Sequence, residues 1–160
     1  MDTLLPIAER LAATLKARRQ TVAVAESSAG GLISAALLAV PGASAYYLGG
    51  AVVYTGRARM QLLQLGRESV EGMRSASEAY ALVLARAARD NFKATWGLSE
   101  TGAAGPGGNA YGDASGHTCI GLAGQEIELA ITVETGEDDR IANMRAFGRA
   151  ALELLERGLA

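Results

Sequence analysis

A serine-containing segment near the amino terminus has the residue types of a nucleophile or of an anion-binding turn. Ser27 and Ser28 follow a short apolar run and precede Gly30 and Gly31. Where a buried strand turns sharply into a helix, free backbone N–H groups can bind an anion or a developing oxyanion, and glycine lets a ligand approach the backbone. A serine at such a turn can attack a carbonyl carbon. The alternative is that Ser27 or Ser28 only caps the following helix.

A glycine-rich stretch at residues 101–116 is the second candidate segment, and its composition is typical of a loop that surrounds a ligand. Glu100 precedes it and adds a carboxylate beside the proposed site. His117, the only histidine, follows it. A catalytic pair of Ser27 with His117 is one interpretation, and a hydrogen-bonded structural histidine is the other.

Alternating strand and helix patterns surround these segments. Residues 21–25 are rich in β-branched side chains, and the residues that would point to either face of a strand are apolar. This pattern is typical of a strand covered on both faces. Further strands are predicted at 48–54, 94–100, 118–123 and 126–133, the last two as a hairpin. Apolar periodicity and capping residues predict helices at 4–15, 28–38, 57–65, 75–91 and 138–157.

This order of elements predicts a three-layer α/β/α domain around a mixed, mostly parallel sheet of about five strands. Ligands on such sheets bind beyond the carboxyl ends of the strands. Three predicted strands end at candidate segments, namely Glu26-Ser27, Tyr54 and Glu100-Thr101. We therefore expect these three segments to converge on one site.

Composition limits the function classes. The chain has 160 residues, of which 49% are hydrophobic, so one domain spanning residues 1–160 is expected. A net charge of −2 argues against nucleic acid and anionic membranes as partners. Cys119 is the only cysteine, which excludes an internal disulfide and a multi-cysteine zinc site and favours the cytoplasm. The first 20 residues indicate neither a signal peptide nor a membrane span.

Three ordered motifs resemble those of the CinA C-terminal domain family. The family typically carries an AESCTGG-like turn, a YSNxAK-like segment and a TGIAGPGG-like loop. The matching segments here are AESSAGG at residues 25–31, YTGRAR at 54–59 and TGAAGPGG at 101–108. Residues 41–46 also resemble the family's PGSSAWF stretch. Three motifs in one order are far more specific than a single glycine cluster.

The resemblance implies an amidohydrolase that cleaves the carboxamide of nicotinamide mononucleotide, releasing ammonia, with neither a metal nor an organic cofactor. Carried over by position, Ser27 is the nucleophile, Tyr54 is the assisting hydroxyl, and Arg59 occupies the position of the family's lysine. Substrate contacts are expected from the turn and the loop, at Ser28, Ala29, Gly30, Gly31, Glu100, Thr101, Gly102, Gly105, Gly107 and Gly108.

Arg59 departs from the family pattern in a way that affects the chemistry. A lysine with a lowered pKa can accept the serine proton, whereas an arginine guanidinium stays protonated. The only lysines, Lys16 and Lys93, fall outside the predicted site loops. Glu100 leaves three alternatives. It replaces the base while Arg59 stabilises charge or holds a phosphate, it pairs with Arg59 in a hydrolytically silent pocket, or it lies on a solvated edge apart from Arg59.

The resemblance also implies a homodimer and the stand-alone form of the domain, without the larger amino-terminal domain that some CinA proteins carry. The expected partner is a pyridine mononucleotide or a similar phosphorylated amide. The main alternative function is a catalytically silent nucleotide- or phosphate-binding module that acts as a homodimer. A third hypothesis is a purely structural dimerisation domain.

Overall fold

Five strands form one mixed sheet in the computed structural model, which describes residues 1–160. The strands are β1 (Val22–Glu26), β2 (Tyr47–Val52), β3 (Trp96–Ala103), β4 (His117–Ala123) and β5 (Glu128–Glu134), in the spatial order β2-β1-β3-β4-β5. Strand β1 pairs in parallel with β2 and β3, and β4 pairs antiparallel with β3 and β5. Only β4 runs against the others, so the predicted mixed, mostly parallel sheet is confirmed.

Helices cover both faces of the sheet. They are α1 (Leu5–Arg18), α2 (Leu32–Leu38), α3 (Gly56–Leu63), α4 (Glu78–Phe92) and α5 (Arg140–Gly158). Helices α1, α2 and α5 pack together over a core of 26 buried residues, while α4 covers the opposite face with α3 beside it. The architecture is therefore the predicted three-layer α/β/α arrangement. No helix is both long and apolar enough to cross a membrane.

Glycines in the central strands let α4 lie close to the sheet. A Cβ atom added at Gly97 in β3 would lie 1.9 Å from the carbonyl oxygen of Ala85, and one added at Gly121 in β4 would lie 2.6 Å from that of Ala81. Ser99, which pairs with Gly121 across β3 and β4, donates a hydrogen bond of 2.6 Å to the Ala81 carbonyl. The backbone of α4 thus rests directly on β3 and β4.

Most predicted boundaries shift by one to three residues, and two of the differences affect the site. The third strand does not end at Glu100 but continues to Ala103, because residues 101–103 pair with the beginning of β4. The second helix begins at Leu32 rather than Ser28, since Gly30 and Gly31 adopt left-handed φ angles of 66° and 100° that interrupt a helix. Ser28 does not cap this helix. The sequence left two caps open, and the structure selects Ser77 rather than Ser75 for α4 and Asp139 rather than Asp138 for α5.

Candidate active site

A cleft of about 400 Å³ lies where β1 and β3 end at the same edge of the sheet. Ser27 follows β1, Tyr54 follows β2, and Thr101 and Gly102 are near the carboxyl end of β3. All four line this cleft. The predicted convergence of the three strand ends is confirmed. Parallel strands present their carboxyl ends at one edge, which is why residues far apart in sequence meet here.

Ser27 lines the cleft, and its hydroxyl has no hydrogen-bond partner within the chain. Among the backbone N–H groups of residues 27–34, only that of Ser28 lacks an acceptor. A free serine hydroxyl beside a free backbone N–H is an arrangement suited to attack on a carbonyl, with the N–H stabilising the charge that develops on its oxygen.

Glu100 lies beneath this turn rather than in the cleft, and it is fully buried. Its carboxylate accepts hydrogen bonds from the backbone N–H groups of Ser27 and Ala29, at 3.0 and 2.8 Å, and from the hydroxyls of Ser28 and Thr118, at 2.8 and 2.9 Å. Burial raises the pKa of Glu100 despite these four bonds, each of which lowers it. The Glu100 carboxylate therefore holds the Ser27 turn in place from below.

None of the three alternatives for Glu100 is fully correct, although the third is right that Glu100 does not contact Arg59. It does not lie on a solvated edge, because β3 extends past it into the sheet. It forms no ion pair with Arg59. Its oxygens already accept four hydrogen bonds, none of them from the Ser27 hydroxyl, so it is not placed to take the proton of the nucleophile.

A second buried carboxylate, that of Glu26, lies at the start of α2 and accepts hydrogen bonds from its N–H groups. It accepts hydrogen bonds from the backbone N–H groups of Gly31, Ile33 and Ser34 at 2.9 to 3.1 Å, and from the Ser34 hydroxyl at 2.6 Å. The prediction that the N–H groups of this turn are open to a ligand anion is thus wrong for all of them except that of Ser28. The carboxylates of Glu26 and Glu100 accept from five of the others, and backbone carbonyl oxygens accept from those of Gly30 and Leu32.

Arg59 is the only charged residue that lines the cleft. Its Nε donates to the carbonyl oxygen of Leu65 at 3.2 Å, and its Nη1 donates to the hydroxyl of Tyr80 at 3.1 Å. No carboxylate lies within ion-pairing distance of its guanidinium. The position of the family's lysine thus carries an unneutralised positive charge that cannot act as a base.

Tyr54 is 62% exposed at the mouth of the cleft. Its hydroxyl lies 3.4 Å from Nη2 of Arg140, the first residue of α5, whose Nη1 donates to the carbonyl oxygen of Gly105 at 2.5 Å. Sequence reasoning missed Arg140, because it is 86 residues from Tyr54 and belongs to no local motif. This arginine joins the loop after β3 to the tyrosine of the site.

The family described as the CinA C-terminal domain matches residues 4–159. The chain belongs to this family. A CinA-like protein of Desulfosudis oleivorans is 38% identical over 145 residues, which are 91% of this chain and 35% of that protein. A CinA-like protein of Synechococcus sp. (strain CC9902) is 39% identical over 125 residues, 78% of this chain and 29% of that protein. The chain thus spans about a third of the length of these curated relatives.

Solved structures of the CinA superfamily have the same fold. The competence/damage-inducible protein CihA of Agrobacterium tumefaciens aligns with a TM-score of 0.89 and 30% identity, covering 96% of this chain and 94% of that one. The CinA superfamily protein of Escherichia coli aligns with a TM-score of 0.90 and 26% identity, covering 98% and 90%. The resemblance inferred from the three motifs is confirmed at the level of family and fold.

His117 is a buried residue at the start of β4 that does not line this CinA-type cleft and forms no catalytic pair with Ser27. Its Nδ1 bonds to the Glu134 carboxylate at 2.5 Å and its Nε2 to the carbonyl oxygen of Ala76 at 2.8 Å, so neither ring nitrogen is available to Ser27. Burial opposes its charge, but the hydrogen bonds to Glu134 and Ala76 and the charge of Asp113 outweigh this and raise the pKa of His117. The structural interpretation of the histidine is the correct one.

The glycine-rich loop contributes fewer cleft residues than its composition predicts. Asn109 and Tyr111, which the sequence analysis did not single out as site residues, line the cleft. Asp113 anchors the loop by accepting from Arg74 at 2.6 Å and from Asn109 at 2.8 Å. The remaining predicted contact residues lie outside the cleft lining, namely Ser28, Ala29, Gly30, Gly31, Glu100, Gly105, Gly107 and Gly108. No group of three or more His, Cys, Asp or Glu side chains is placed to hold a metal ion.

Proposed function

We propose that this chain is an amidohydrolase that acts on the carboxamide of a pyridine mononucleotide such as nicotinamide mononucleotide. The observation that carries the proposal is the position of Ser27, which lines the same cleft as Tyr54 and is followed by the unpaired N–H of Ser28. Membership of the CinA C-terminal domain family supports the same chemistry.

The proposed reaction begins with attack of the Ser27 oxygen on the amide carbon. The C–N bond then breaks, ammonia leaves, and water hydrolyses the acyl-enzyme to the carboxylate product. The N–H of Ser28 stabilises the oxyanion of the tetrahedral intermediate. Glu26 and Glu100 act indirectly, because each holds the backbone of the Ser27 turn through its hydrogen bonds.

The proton of Ser27 needs a route that does not involve a lysine. No lysine, carboxylate or histidine lines the cleft, so Tyr54 is the group we assign to this step. Its phenol oxygen can accept the serine proton while its own proton passes to the departing nitrogen, so neither group ends the step with a net charge. Because this relay lacks a true base, we expect slow turnover.

The second candidate is a binding descendant of such an enzyme, and Arg59 is the observation that favours it. The guanidinium at the family's lysine position cannot accept a proton. It donates hydrogen bonds to the Tyr80 hydroxyl and the Leu65 carbonyl oxygen and pairs with no acidic group. A module of this kind would bind the same mononucleotide without releasing ammonia.

Ammonia release from nicotinamide mononucleotide by the purified chain tests both candidates. We expect turnover by the wild type and at least a hundredfold loss in Ser27→Ala, because that change removes the nucleophile. Ser69→Ala, which changes a serine outside the cleft, is the matched control and should retain the wild-type rate. Turnover only in Arg59→Lys would establish the binding descendant, and no turnover in either would exclude this substrate.

A further inference from the structure

A second cavity of about 730 Å³ adjoins the cleft of Ser27, and the two share four lining residues. We call these four residues the junction: Arg59, Ser75, Tyr80 and Tyr111. They come from α3, from the segment before α4, from α4 itself and from the glycine-rich loop. All four carry hydrogen-bond donors, and none is acidic.

The hydrogen bonds within the junction leave several donors free. Nη1 of Arg59 donates to the Tyr80 oxygen, which leaves the Tyr80 proton and Nη2 of Arg59 without acceptors in the chain. The Tyr111 hydroxyl donates to the Ser75 oxygen at 3.4 Å, which leaves the Ser75 proton free as well. The junction therefore offers one cationic and two hydroxyl donors on three different side chains.

We propose that the junction binds the phosphomonoester group of the substrate. A phosphomonoester has three terminal oxygens that accept hydrogen bonds, and arginine is well suited to bind it. The proposal depends on the proposed function only for the part of the substrate beyond the phosphate. That part would be the amide-bearing ring, which would face Ser27. In this arrangement Arg59 is a substrate-binding residue, which explains how the cleft uses a cation that cannot act as a base.

The residues of the second cavity beyond the junction set a limit on the size of the anion. They include one arginine, Arg67, and two glutamates, Glu68 and Glu71, so acidic groups outnumber basic ones there. A second phosphate reaching past the junction would meet these carboxylates, and like charges repel at close range. The site therefore selects a monophosphate over a diphosphate.

Ribose 5-phosphate is the probe, because it carries the phosphomonoester without an amide. Its binding to the full chain is measured by ligand-observed NMR, with ribose as the neutral comparison. We expect ribose 5-phosphate to bind at least tenfold more tightly than ribose, and Arg59→Gln to remove at least tenfold of its affinity. Arg57→Gln, on the same helix but outside both cavities, is the matched control and should change affinity less than twofold.

Two results would overturn the proposal: equal affinity for ribose 5-phosphate and ribose, or equal affinity of wild type and Arg59→Gln for ribose 5-phosphate. If Arg59→Gln does not fold, Tyr80→Phe removes one donor while keeping the ring, and at least a threefold loss is expected; an unchanged affinity would likewise exclude the junction. Because the probe has no carboxamide, its binding tests the junction separately from hydrolysis. Phosphate-dependent binding of ribose 5-phosphate, together with no ammonia release from nicotinamide mononucleotide, would refute the proposed hydrolysis and leave the junction intact.

Competition by inorganic anions tests the size limit. We expect inorganic phosphate to displace ribose 5-phosphate at lower concentration than pyrophosphate does, although pyrophosphate carries more charge. The double variant Glu68→Gln, Glu71→Gln should reduce this difference at least threefold. Better displacement by pyrophosphate than by phosphate in the wild type would contradict the role of the two carboxylates.

Discussion

Glu100 is the residue whose role the structure changes most. It was expected to act as a base, as an ion-pair partner or as a solvated edge residue, and it instead supports the Ser27 turn from inside the sheet. Its partners are two backbone N–H groups and two hydroxyls, all supplied by neighbouring strands and turns. The turn that presents the nucleophile is thus held by a buried carboxylate.

Replacing Glu100 by alanine should destabilise the fold. Glu100→Ala leaves three donors without an acceptor, namely the backbone N–H groups of Ser27 and Ala29 and the Ser28 hydroxyl, while the Thr118 hydroxyl can still donate to the Thr101 carbonyl oxygen. A buried unsatisfied group costs roughly 1 to 3 kcal/mol. Because the charged carboxylate is itself disfavoured by burial, we expect a net loss of about 3 kcal/mol in the free energy of unfolding, measured in urea. Glu9→Ala, on the exposed face of α1, is the control and should change it by less than about 0.5 kcal/mol. A loss in Glu100→Ala no larger than in this control would contradict the assignment.

His117 should make stability depend on pH above neutrality. Its pKa is raised in the folded chain, so protonated His117 stabilises the fold fully below the unfolded pKa of about 6.5, and this stabilisation is lost as the pH rises through the folded pKa. We expect the difference in unfolding free energy between wild type and His117→Gln to decrease from pH 6 to pH 9.

The single histidine makes this prediction simple to check, because its ring protons give the only imidazole signals in an NMR titration. A midpoint above about 6.5 is expected. A midpoint below that value, or a difference between wild type and His117→Gln that does not change with pH, would show that Glu134 and Ala76 do not hold the ring in its charged form.

At the scale of elements, the close approach of α4 to β3 and β4 organises one wall of the site. Helix α4 supplies Tyr80 to the cleft, and its position depends on the absence of side chains at Gly97 and Gly121. The backbone of α4 could not remain where it is if either strand carried a larger residue at these points.

Gly97→Ala should therefore lower stability strongly. The added methyl group would overlap the Ala85 carbonyl, and overpacking of this kind costs about 3 kcal/mol. Gly107→Ala provides the comparison, because a Cβ atom there has no neighbour within 4 Å, and its effect should stay within about 0.5 kcal/mol. Urea denaturation of the two variants in parallel measures the difference, and equal stabilities would show that α4 can move away from the sheet at little cost.

At the scale of the whole molecule, the sheet has two open edges of different character. Strand β2 exposes Leu48 and Val52, whereas β5 exposes the carboxylates of Glu128 and Glu134. Charged side chains on an edge strand discourage pairing with another chain, and apolar ones do not. The β2 edge is therefore better suited than the β5 edge to pair with a second copy of the chain.

We expect a homodimer, on the basis of the family resemblance. The chain has a mass of 16.5 kDa, so light scattering after size exclusion should give twice that value, about 33 kDa. A mass that stays at 16.5 kDa at high protein concentration would contradict this expectation. It would leave the proposed function untouched, because Ser27, Tyr54 and Arg59 line one cleft within a single chain.

The sequence by itself determined the order of the elements, the family and the meeting of Ser27, Tyr54 and Thr101. These follow from local periodicity, ordered motifs and the rule that parallel strands end at one edge. Only the tertiary structure decided what Glu100, Arg59 and Arg140 do. Their partners lie tens of residues away, and which face of a strand a side chain occupies depends on a register that local pattern does not fix. Extending β3 by three residues placed Glu100 inside the sheet, and no motif linked Arg59 to Tyr80.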